Sequence, residues 1–121
     1  MKRLIIALIA GFAIAAPAAF AASHFVKVSP GAVKRGNKVT VSGNVGGGCQ
    51  VGHKGDVATI ISNAFKGSTK TKFAGVPAVQ AALNKKGKFS FTIKIRAKRG
   101  SYDVSGRCGG GIFGGTSLKV T

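Results

Sequence analysis

"VSGNVGGGC", residues 41–49, returns as "VSGRCGGG" at residues 104–111. Each phrase is the Val-Ser-Gly end of an extended segment that runs into three glycines. Each also holds one of the only two cysteines in the 121 residues. A chain that writes one loop twice, and puts its only thiols there, has two strand ends to bring together.

Turn signals recur at short intervals around the doubled phrase: "SPG", "KRGN", "HKGD", "NKKGK", "KRGS" and "GGGIFGG". Between them lie segments of period two, the mark of half-buried strands. In "KFSFTIKIR" Phe89, Phe91, Ile93 and Ile95 fall on one side, and Lys88, Ser90, Thr92, Lys94 and Arg96 on the other. "KVTVSGNV" groups Val39, Val41 and Val45, while "SYDVSGRC" aligns Tyr102, Val104, Gly106 and Cys108. The shorter runs "FVKVS", "DVATIIS", "PAVQAAL" and "TSLKVT" complete seven strands, A to G, with no convincing amphipathic helix. Strands of this length and pitch predict an all-β, seven-stranded β-sandwich, with a small closed barrel as the alternative. "ISNAFKGSTKTKFAGVPAV", residues 61–79, is poorest in signal and reads as a long C–D connection with mobile parts.

The first residues have the layout of a secretory signal. Lys2 and Arg3 form the positive start, Leu4 to Ile14 an apolar run, and Ala19-Phe20-Ala21 a small-x-small cleavage site. The alternative is an uncleaved anchor, because the uncharged run from Leu4 to Ser23 could just span a bilayer. Pro17 and the alanine-rich second half favour cleavage. The organisation expected is therefore a signal over 1–21, one small domain over 22–121 and no transmembrane segment after processing. Export places the thiols in an oxidising compartment, where Cys49 and Cys108 can form only one intramolecular bridge. Closing the loop between them would contribute roughly 4 kcal/mol in the chain-entropy model.

In an immunoglobulin-like sandwich, strands B and F lie in opposite sheets and the B–C and F–G loops emerge at one end. The doubled phrase closes strands B and F, so one inter-loop disulfide would tie those loops together. "VSPGAVKRGNKVTVSGNV" resembles the opening of the Ig-like modules common in exported bacterial proteins, and "GSYDVSGRCGG" is similar to their penultimate strand. The resemblance implies a fold and an extracytoplasmic setting and carries over no catalytic residue. The chain has no tryptophan and Cys49 lies beyond strand B, so the likeness is one of architecture and not of antibody domains.

Chemistry has little to work with here. After the signal there are two carboxylates, Asp56 and Asp103, two histidines, His24 and His53, and one tyrosine. His53 and Asp56 in "GHKGD" do not make a hydrolytic site, so no enzyme, metal or cofactor is expected. "GGGCQVGHKG" lacks the phosphate-loop order, although a backbone nest beside Lys54 and Arg107 could hold an anion. His24 near a processed end raises copper chelation, and a copper or small-ligand carrier is accordingly one alternative.

Charge is the strongest functional signal: 19 basic side chains against two acids, a net +17 that falls by two when the signal leaves. It implies attraction to polyanions. The expected activity is non-catalytic binding of an anionic polymer, another cell-surface component or a partner protein by a secreted module. A cationic membrane-active defence protein is the other alternative. Specific nucleic-acid readout is not expected, because the few aromatics sit at core parity. Lys88, Lys94, Arg96, Lys98 and Arg99 should give strand E a basic outer edge, and Lys54 with Arg107 should surround the paired loops.

Overall fold

Strict alternation of β-branched or aromatic residues with polar ones leaves the chain no helical face to bury, and the result is two sheets. The computed structural model describes residues 24–46, 56–108 and 111–121. Among these residues there are nine strands: β1 Phe25–Ser29, β2 Ala32–Val33, β3 Lys38–Asn44, β4 Val57–Ile61, β5 Lys72–Phe73, β6 Val76–Ala82, β7 Lys88–Lys94, β8 Gly100–Cys108 and β9 Gly111–Val120. A 3-10 turn spans Asn63–Phe65. One sheet has the order β1-β3-β7, the other β2-β9-β8-β4-β6-β5.

Every expected segment forms a strand, but the count of seven is too low. The extra strands, β2 and β5, have two residues each, too few to display a period. The chain leaves the first sheet at Ser29-Pro30-Gly31, and β2 then pairs in parallel with β9, Ala32 opposite Lys119 and Val33 opposite Val120. "PAVQAAL" falls in β6, which pairs antiparallel with β4, Ile60 opposite Val79. That pairing explains the uneven division into three and six strands. "GGGIFGG" is not a plain turn either, since β9 already runs from Gly111.

The two sheets close over one core. Val26, Val39, Val41, Phe89 and Ile93 face it from the smaller sheet, and Ala58, Ile60, Val104, Leu118 and Val120 from the larger. Both glycines of the Val-Ser-Gly repeat, Gly43 and Gly106, are buried against this core. A Cβ on Gly43 would stand 2.2 Å from the Phe25 carbonyl oxygen and 2.9 Å from the Phe89 ring. On Gly106 it would stand 2.4 Å from the Phe113 ring. The two rings meet edge to face across the sheets, 6.0 Å between centroids. The Val-Ser-Gly repeat thus makes room for an aromatic bridge.

The connection after β4 begins with a packed turn. Ser62, itself buried, caps the 3-10 turn by accepting from the Ala64 N–H at 3.0 Å. Phe65 is fully buried and meets Phe91 edge to face at 6.2 Å. Thr69 Oγ1 then donates to the Ala78 carbonyl at 2.8 Å. One buried phenylalanine in a polar run produces no periodic signal, which is why the sequence reads as loose. The signal segment 1–21, Cys49, His53 and Lys54 lie outside the described residues.

Candidate anion-binding site

Lys38 opens β3 directly opposite Lys94, which closes β7. The β2–β3 turn and the β7–β8 connection are therefore neighbours at one end of the sandwich. Backbone bonds lock them: Gly36 N–H donates to the Ile95 carbonyl at 2.6 Å, and Ile95 N–H to the Asn37 carbonyl at 2.8 Å. Arg35 Nε adds a bond of 2.9 Å to the Arg96 carbonyl. Two hydroxyls hold the same connection, Ser68 Oγ donating to the Lys94 carbonyl and Tyr102 to the Lys98 carbonyl at 2.5 Å.

These elements enclose an open cleft of about 640 Å³. Arg35, Lys66, Arg96 and Lys98 line it, together with Asn63 and Tyr102. None of its lining residues is acidic. Four cations on three separate elements surround one concavity, where low-dielectric walls strengthen their pull on an anion. Arg35, Lys66, Arg96 and Lys98 are all exposed, so their charges remain available to a ligand.

A second basic surface continues from the cleft. On the outward face of the smaller sheet, Lys38 and Lys94 stand side by side, followed by the pairs Thr40–Thr92 and Ser42–Ser90. The two threonine hydroxyls are 3.3 Å apart. Lys27 lies opposite Ser42 on the same face.

The basic edge foreseen for β7 is therefore only partly one surface. Arg96 and Lys98 meet in the cleft and Lys94 adjoins it. Arg99 is exposed on the same connection without lining the cleft. Lys88 opens β7 at the far end, opposite Asn44. Arg107 does not line the cleft either. It is half-buried near the end of β8, with its guanidinium 5.0 Å from the centre of the Phe73 ring and its Nε enclosed without a hydrogen-bond partner. A cation stacked on a ring in this way is packed as part of the fold. Arg35 and Lys66 escaped the sequence reading, because "KRGN" reads as a turn and Lys66 lies in the stretch of weakest pattern.

Cys108 ends β8 and is not a free thiol. Its expected partner, Cys49, is outside the described residues. His24 Nδ1 lies 3.0 Å from the Phe113 carbonyl, which fastens the start of the described chain to β9. That contact occupies the ring nitrogen an amino-terminal copper chelate would use. No group of three potential metal ligands occurs among the described residues. Nor do they contain a helix long and apolar enough to cross a membrane. No family model matches the chain, and no curated protein matches it.

Proposed function

We propose that this chain is a secreted, non-catalytic, immunoglobulin-like module that binds anionic polymer at a cell surface through its cationic end. One observation carries the reading: Arg35, Lys66, Arg96 and Lys98 converge on a cleft that no carboxylate lines. A basic surface kept only for solubility needs dispersed charge; here the loops that hold the cations are cross-bonded. The immunoglobulin-like part of the proposal is supported by the two-sheet order and by the parallel β2–β9 pairing. Cys108 is proposed to pair with Cys49, the only other cysteine.

Retention on an immobilised anionic polymer at low ionic strength, with elution at moderate salt, is the expected behaviour. Arg96→Gln with Lys98→Gln should lower the eluting salt concentration more than Lys119→Gln with Lys85→Gln, which removes equal charge elsewhere. Equal effects from the two double variants would reduce the binding to net charge and remove the cleft from the proposal. Release of dye from anionic vesicles at the same protein concentration would replace it with a membrane-active function.

A further inference from the structure

We infer that the cleft takes a tetrahedral oxyanion carried in a hydroxyl-bearing phosphodiester polymer, one phosphate group per cleft. The inference rests on the polyanion reading above and narrows it to one ligand chemistry. Its first support is the direction of the donors. Arg35 comes from the β2–β3 turn, Lys66 from beyond the 3-10 turn, and Arg96 and Lys98 from the β7–β8 connection. Donors converging from several directions suit an anion whose oxygens are spread in three dimensions. A carboxylate offers its lone pairs in one plane.

The second support is preorganisation. Arg35 spends Nε on the Arg96 carbonyl, which fixes the guanidinium plane and leaves its two terminal amino groups for a ligand. The loop that bears Arg96 and Lys98 is held by three side chains, through the carbonyls of Lys94, Arg96 and Lys98. The backbone that carries these cations therefore needs little ordering on binding, and the fixed guanidinium of Arg35 can give two parallel bonds to one phosphate.

The third support is what adjoins the cleft. At about 640 Å³ it exceeds a single ion and has room for the unit that carries the phosphate. Beyond it run Lys38 and Lys94 and then the hydroxyls of Thr40, Thr92, Ser42 and Ser90. A row of hydroxyls after a pair of ammonium groups complements a polyol or sugar that is joined by phosphates. Carboxylate polymers gain nothing from the row beyond its lysines.

Titration calorimetry of the processed protein against polyglycerol phosphate and polyglutamate, at matched chain length and fixed ionic strength, tests the inference. The phosphodiester polymer is expected to bind at least about tenfold more tightly, the worth of one charge-assisted hydrogen bond. Inorganic phosphate should displace it where the same ionic strength of chloride does not. Arg35→Lys keeps the charge and removes the fork. It should lose about tenfold toward polyglycerol phosphate. Lys66→Gln, an exposed change that disturbs no bond of the loop, should weaken the phosphate polymer more than polyglutamate.

Equal affinity for the two polymers overturns the inference and leaves the polyanion reading standing. Binding of neither overturns both. Tighter binding to heparin moves the site to sulfated polysaccharide, and tighter binding to phosphatidylglycerol vesicles moves it to a lipid headgroup. Either result overturns the assignment to a phosphodiester polymer.

Discussion

Gly43 shows how much one hydrogen atom decides in this fold. The obstacle to a larger residue there is the Phe25 carbonyl oxygen as well as the Phe89 ring. A ring can turn, whereas a backbone oxygen paired into β1 and β3 cannot. Gly43→Ala is therefore expected to cost at least about 1–3 kcal/mol, the usual range for overpacking, and to lower the urea midpoint of unfolding. Gly31→Ala is the control, since its Cβ would enter open space, and it should stay within about 0.5 kcal/mol of wild type. An unchanged midpoint for Gly43→Ala would show that the aromatic bridge does not form. Parity alone made Gly106 readable as a core position. The ring above it was not readable, because Phe113 sits among glycines that look like a turn. Arg35 and Lys66 went unseen for a related reason: an exposed cation at a turn looks the same whether its neighbours in space are acids or other cations.

In β3 and β7 the cross-strand register sets Lys38 directly against Lys94. Like charges in that position oppose pairing by a few tenths of a kcal/mol, and salt relieves them. Lys94→Gln should accordingly raise the urea midpoint at 20 mM salt, about where screening is weak, and lose that advantage near 1 M. The same substitution should weaken polyanion binding, so stability and affinity move in opposite directions. A midpoint that does not respond to salt would mean the two ammonium groups already avoid each other. Alternation identified these strands well, since each needs only its own residues to declare a face. It could not show which strand β6 would join, because pairing depends on the partner's edge. The two-residue strands and the Phe65 anchor were hidden because one or two residues carry no period.

The cleft and Cys108 occupy opposite ends of the sandwich, since β8 runs from Gly100 beside Val120 to Cys108 beside Gly111. The described chain starts at the Cys108 end, where Phe25 faces Asn44, and finishes at the cleft end, where Thr121 follows Val120. Net charge and a one-domain length were legible from the start; the gathering of cations at one end depended on turns that only the folded chain brings together. The parallel pairing of β2 with β9 has a mechanical consequence. Its bonds include one from Lys119 N–H to the Gly31 carbonyl at 2.9 Å and one from Thr121 N–H to the Val33 carbonyl at 2.8 Å. Tension applied between the two ends drags β2 and β9 in opposite directions along their common axis, so both bonds are loaded in shear together instead of opening in turn. Forced unfolding of a tethered chain should therefore require a distinct peak force, set by the rate of this first rupture. Thr121→Pro deletes one of these donors without entering β9 and should lower that peak. If it does not, the load passes through β1 and β3, and the short parallel strand bears none of it.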